Sequence, residues 1–179
     1  MEYRENFQSY LDAISKPGLP GGGSVVSLLF CLGVSLIQMA VSFSEKADER
    51  DFLRKVWEEL EESKRVVFPY IDKDGKIFQA SLREKEKRKK RRFIQELNKM
   101  IFDIGENCNK ILLIAKKIKG EIKKSIISDF YIGMKIIEVV IEGCLLNLQA
   151  NGCLFGLREE EKEARLNAYL EEFKKWLKF

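Results

Sequence analysis

Apolar residues recur along most of this chain at the three-to-four-residue spacing that lines one face of a helix. Phe7, Tyr10, Leu11 and Ile14 mark a first amphipathic segment over Tyr3–Ile14, which "SKPGLPGGG" then breaks. From Ser24 to Phe43 nearly every position is apolar, predicting a buried helix with Ser24 as its N-cap. A third helix begins near Asp48 and carries Phe52, Val56, Leu60 and Val67 on one face. "FPYIDKDGKIF" interrupts it, where Pro69 and the Asp74-Gly75 pair predict a bend or turn. The helical spacing resumes at Leu82 with Phe93, Leu97, Met100, Ile101 and Ile104, pauses at Gly105, and continues through Ile111, Leu112 and Ile118.

Residues 125–155 are again strongly apolar. The β-branched run Ile136, Ile137, Val139, Val140 and Ile141 favours a strand, but the length of the segment favours a helix. Leu166, Leu170, Phe173 and Leu177 make the last segment, Glu159–Phe179, amphipathic. The sum is an all-α bundle of five or six helices, a single domain over residues 1–179.

Composition leaves that picture in place: 45% apolar and 34% charged residues describe an ordered globular chain. The apolar run at 24–43 is long enough to cross a bilayer, which takes about 20 residues. Ser27, Ser35, Gln38 and Ser42 lie within it and no basic cluster flanks it, so a core helix is expected and no membrane partner. The N-terminal "MEYRENFQSY" is too polar for a secretory leader. The four cysteines, at 31, 108, 144 and 153, form no CxxC pair and read as free thiols of a reducing compartment. A cytoplasmic protein is expected.

Charge changes the picture at one place. Residues 83–92, "REKEKRKKRR", hold eight basic and two acidic side chains, so the rest of the chain is near −2 against a net charge of +4. Only this run could bind a nucleic acid, and the more ordinary reading is a solvated helix face. There is no histidine, which removes the usual catalytic triads and most transition-metal sites. Chemistry near neutral pH then falls to carboxylates, lysines, tyrosines, cysteines or backbone groups.

Four short features could carry it. Gly21, Gly22 and Gly23 match neither GxGxxG nor GK[ST]. They open a helix whose free N–H groups suit an anionic or carbonyl-bearing ligand, or let another helix pack closely. "DKDG" at 72–75 fails as a calcium loop, with its glycine fourth instead of sixth and no closing glutamate, so no metal is expected. Ser128 and Asp129 suit the start of a helix. Asn147 and Asn151, four apart, share a helical face in apolar surroundings, where each amide must brace another helix or hold a ligand.

Taken in order, "PGGGSVVSLLFCLGVSL", "DKDGKIF", "SD" and "NLQAN" resemble the cyclodeaminase/cyclohydrolase family over roughly residues 5–155. That family comprises formiminotetrahydrofolate cyclodeaminases and methenyltetrahydrofolate cyclohydrolases. Pro20 to Ser24, Gly33 and Met39 match its glycine block, and Asp74 and Phe78 match its acidic motif, with Asp72 alongside. Asn147 follows Asp129 by eighteen residues, without a gap, as in the family.

The resemblance implies an all-helical homodimer that takes a tetrahydrofolate derivative as substrate and needs no metal. It implies Asp74 as the acid/base or cation-stabilising carboxylate, with Asp129 as a second catalytic carboxylate. Pro20, Gly21, Gly22, Gly23, Ser24, Lys46, Phe78, Ser128, Asn147 and Asn151 would contact the folate. The reaction is ring closure of a formimino group with loss of ammonia, or addition of water to a methenyl carbon. Where members carry a basic cluster, "SFSEKADER" keeps Lys46 beside Glu45, Ala47 and Asp48, and Gly75 replaces an alanine. A folate-binding protein without turnover, and nucleic-acid binding through residues 83–92, are the alternatives.

Overall fold

The computed structural model describes residues 3–45 and 50–178. Among them seven α-helices follow one another: α1 (Tyr3–Ile14), α2 (Gly22–Ser44), α3 (Arg50–Val67), α4 (Tyr70–Arg83), α5 (Lys87–Ile118), α6 (Ile127–Phe155) and α7 (Glu160–Trp176). A 3-10 turn at Lys124–Ile126 precedes α6, and no strand occurs among the described residues. The β-branched run at 136–141 lies inside α6, so length outweighs local strand propensity there.

The two apolar helices, α2 and α6, are the most extensively packed pair. They cross where Gly33 meets Gly133: a Cβ on Gly133 would stand 2.9 Å from the Gly33 carbonyl oxygen, and one on Gly33 3.1 Å from that of Gly133. Phe30, Val34, Ile37 and Val41 of α2 meet Phe130, Met134, Ile137 and Val140 of α6 in one continuous core. The helices α3, α4 and α5 pack on α2, and α7 closes against α5 and α6.

α2 is long and apolar enough to span a bilayer, yet its most apolar stretch is 61% buried within the bundle. Its polar interruptions have internal partners. Gln38 donates to Glu61 at 3.0 Å and accepts from Lys64 at 2.8 Å, tying α2 to α3. The Ser27 hydroxyl donates to the Gly23 carbonyl. Cys31, Cys108 and Cys144 are buried free thiols and Cys153 is an exposed one; burial pushes the Cys31 thiol up to about 11.

Three local expectations are corrected. The break predicted at Pro69 is present, as a two-residue turn between α3 and α4, but the turn predicted at Asp74-Gly75 lies inside helix α4, whose N-cap is Pro69 and whose first turn holds Asp72. Gly75 sits inside α4 and a Cβ there would meet Leu19 at an ordinary 3.5 Å. The helix over 87–118 does not pause at Gly105; the missing Cβ makes room for Leu166 of α7. Nor is Ser24 an N-cap. α2 begins at Gly22 with Gly21 as its N-cap, and the buried Ser24 hydroxyl pairs with the Tyr10 hydroxyl at 2.9 Å.

A smaller core of Ile77, Ile94, Leu97 and Met100 clamps α4 to α5, with Phe78, Phe155 and Leu157 packed against it. It fixes α4 across the N-terminus of α2. α6 ends beside it at Gly156, whose φ of 65° is the left-handed conformation that glycine supplies at helix ends.

Candidate active site

α2 starts without a side-chain cap of its own and without an acidic residue in its first turn. Its first N–H groups therefore need acceptors from elsewhere in the fold. One comes from α4: the Asp74 carboxylate lies against the start of α2 and accepts the backbone N–H of Ser24. A Cβ on Gly23 would overlap that carboxylate, and a Cβ on Gly22 would stand 3.2 Å from Oδ1 of Asn147. Gly23 is thus required by the protein's own Asp74, which approaches the backbone as closely as only glycine allows, and Gly22 gives Asn147 a close seat beside it.

Asp74 is only partly open to solvent. Burial raises its pKa above the ordinary carboxylate range, and the Ser24 N–H pulls the other way without cancelling that effect. It faces a cavity of about 200 Å³ whose polar wall is Gly21, Gly22, Gly23, Asp74, Asn147 and Asn151. Phe78, Leu97 and Leu154 supply the apolar wall. Asn147 and Asn151 do share one face of α6, as their spacing predicts, and that face looks across the cavity at the start of α2.

Sequence reasoning missed one member of this constellation. Asn98 of α5 is fully buried, and its Oδ1 accepts the side-chain N–H of Asn151 at 2.9 Å. That bond holds the Asn151 side chain with its amide nitrogen turned toward α5. The signal was present as a polar residue between Leu97 and Ile101 on an otherwise apolar face.

The remaining predicted site residues are placed elsewhere or outside. Pro20 and the Ser24 side chain do not line the cavity. Ser128 and Asp129 occupy the first turn of α6, with the Ser128 hydroxyl 3.3 Å from an Asp129 carboxylate oxygen. Eighteen residues of helix separate Asp129 from Asn147, about 27 Å at 1.5 Å per residue. Ser128 instead borders a separate groove of about 360 Å³ between α2 and α6, lined by Leu29, Tyr131, Ile132, Ile136 and Val139. Lys46 lies outside the described residues.

A partly desolvated carboxyl with a raised pKa, facing two amides, can accept or donate a proton near a cationic ligand. Comparison with known proteins gives the fold a relative. No curated protein matches the sequence. The fold is similar to the crystal structure of a formiminotetrahydrofolate cyclodeaminase from Thermotoga maritima, with a TM-score of 0.80 and 18% identity, covering 99% of this chain and 90% of that one. The sequence profile described as formiminotransferase-cyclodeaminase matches residues 6–172, from α1 into α7, and the chain belongs to that family.

Proposed function

We propose that the protein is a one-carbon enzyme acting on a reduced folate, with Asp74 as the proton-transferring carboxylate. The observation that carries this reading is the placement of Asp74. A carboxyl whose pKa is raised by burial stands in one cavity with the amides of Asn147 and Asn151 and the glycine-rich start of α2.

Both reactions open to such a site pass beside a cationic, delocalised N–C–N centre. In cyclodeamination the bridging arylamine nitrogen outside the pterin ring attacks the formimino carbon, its proton moves to the departing nitrogen, and ammonia leaves as the methenyl ring closes. In hydrolysis water adds to the methenyl carbon, loses a proton, and the carbon–nitrogen bond opens to give the formyl product. Asp74 is suited to move the proton in either case, and its ionised form to stabilise the cation, work that is typically worth about 10²–10⁴ in rate. The Asn147 and Asn151 amides offer donors and acceptors for the rim of a flat heterocycle. Neither reaction calls for a metal.

The homodimer implied by the resemblance has structural support of its own. On α6, Ile132, Val139 and Leu146 are exposed at seven-residue intervals, at 53%, 52% and 66%. On α2, Leu32 and Phe43 are exposed as well. A second copy laid antiparallel along α6 would cover this stripe. Pairing about Val139 would bring Asp129 of the partner subunit level with Gln149, about half a turn from Asn147, and so carry Ser128 and Asp129 toward the end of α6 that holds a cavity they cannot reach in their own chain.

The test is spectroscopic. Purified protein should accelerate the loss of methenyltetrahydrofolate absorbance, or its appearance from the formimino compound, and Asp74→Asn should abolish the acceleration. A protein that binds folate and turns over neither compound would instead be a binding protein.

A further inference from the structure

A chain of polar side chains leads from the cavity through the bundle to its surface. Asn151 of α6 borders the cavity and donates to Oδ1 of Asn98 on α5 at 2.9 Å. The other end of the Asn98 amide, its Nδ2, donates to Oε1 of Glu159 at 3.5 Å. The second carboxylate oxygen of Glu159 stands 3.1 Å from the Lys162 ammonium. Asn98 is fully buried on the face of α5 that also carries Ile94 and Ile101, where an unpaired amide would be costly.

Glu159 does little for its own helix. It is the N-cap of α7, yet its side chain makes no capping bond, and Ser, Thr, Asp or Asn would serve better there. Its ion pair with Lys162, three residues on, is of a kind worth little to stability. Nor does it line the cavity. What a carboxylate supplies to a buried amide is polarity. The two ends of an amide are nearly alike in shape, and their partners decide which is oxygen. A carboxylate only accepts, so it draws the Asn98 nitrogen toward α7 and turns the Asn98 oxygen toward α6. That oxygen in turn can accept only from the nitrogen of Asn151.

We infer that Glu159 is a positioning residue: through Asn98 it sets the polarity of the Asn151 amide, so that a ligand in the cavity meets the Asn151 oxygen with an N–H of its own. The inference rests on the folate reading above, since a reduced pterin carries several N–H donors along its edge.

The experiment is calorimetric binding of 5-formyltetrahydrofolate to wild-type protein and to variants whose helical content is checked by circular dichroism. Glu159→Met keeps the length of the side chain without an acceptor, and affinity should fall about tenfold. Glu159→Lys offers only donors, turns both amides round, and should lose at least as much. Glu159→Gln keeps an oxygen that can accept and should stay within about threefold of wild type. Lys162→Met removes the ion pair but not the acceptor and should bind as wild type does. In turnover, Glu159→Met should raise KM and leave kcat nearly unchanged, whereas loss of folded protein would lower kcat at constant KM. Wild-type affinity in Glu159→Met overturns the role of Glu159 and leaves the folate reading standing. Equal losses in Glu159→Gln and Glu159→Met overturn it too, because charge and not polarity would then be the cause, and so does a matching loss in Lys162→Met. Should Glu159→Met lose its helices, the contrast between Glu159→Lys and Glu159→Gln decides, and equal affinities there overturn the role. If wild-type protein binds no folate, the folate reading itself fails, and this role with it.

Discussion

Asp74 accepts an N–H from the start of α2 while standing where a side chain on Gly23 would have to be. The carboxylate thus completes a helix cap from another element, at the cost of partial desolvation. Because its folded pKa is raised, Asp74 favours the folded state below its unfolded pKa, and that contribution is lost as pH rises through the folded value. At neutral pH the ionised carboxylate is therefore a burden on the fold. Asp74→Asn keeps an oxygen to accept the Ser24 N–H and should be at least as stable as wild type at pH 7, by chemical denaturation. The difference should shrink as pH falls through the carboxylate range. A marked loss of stability at pH 7 would contradict the assignment. If the reaction is water addition, the wild-type rate should fall in acid with an inflection above the ordinary carboxylate pKa. Asn98 acts one step away: Asn98→Leu removes the acceptor of a buried amide, which costs about 1–3 kcal/mol. Thermal unfolding should register this as a drop of a few degrees, at about 2–4 °C per kcal/mol. A readout beyond folding is KM, which should rise as the Asn151 amide loses its fixed orientation.

At the scale of elements, what was legible in the sequence follows from which forces act locally. The amphipathic and apolar helices were readable because periodicity reports burial directly. α4 was not, because Pro69, Asp72 and Gly75 carry the same local chemistry at a helix start as in a turn. Only the small core of Ile77, Ile94, Leu97 and Met100 decides between them. Gly105 was read as a pause for a similar reason: its partner, Leu166, is sixty-one residues away in sequence. α2 and α6 cross at Gly33 and Gly133, where a Cβ on either glycine would crowd the carbonyl oxygen of the other. Gly133→Ala should force the two helices apart and cost about 1–3 kcal/mol. A melting temperature unchanged from wild type would mean that the crossing relaxes freely.

The whole molecule adds what no single helix shows. The candidate residues separate into two groups at opposite ends of α6, Asp74 with Asn147 and Asn151 at one and Ser128 with Asp129 at the other. Their spacing in the sequence was legible, and so was their separation once 125–155 is read as one helix; what was hidden is that α2 and α4 bring Gly22, Gly23 and Asp74 to the Asn147 end and not to the Asp129 end. The exposed stripe between them was also hidden, because an apolar residue on a core helix looks the same whether it faces its own bundle or a second copy. Val139→Glu places a charge at the centre of that stripe, on a residue that is 52% exposed in the single chain. It should leave the fold intact by circular dichroism and convert a dimer to a monomer by light scattering, with turnover lost as the subunits part. A wild-type protein that is monomeric at assay concentrations yet active would remove Ser128 and Asp129 from the site.

The most direct measurement of the central claim is the decay of methenyltetrahydrofolate absorbance, and its formation from the formimino compound, with wild-type protein, Asp74→Asn and a protein-free control for spontaneous hydrolysis. Acceleration is expected in one of the two assays, with a loss of about 10²–10⁴ in Asp74→Asn, the usual worth of a positioned proton-transfer group. Turnover that survives the substitution unchanged would contradict the role of Asp74, and a wild-type protein inert in both assays would contradict the enzyme.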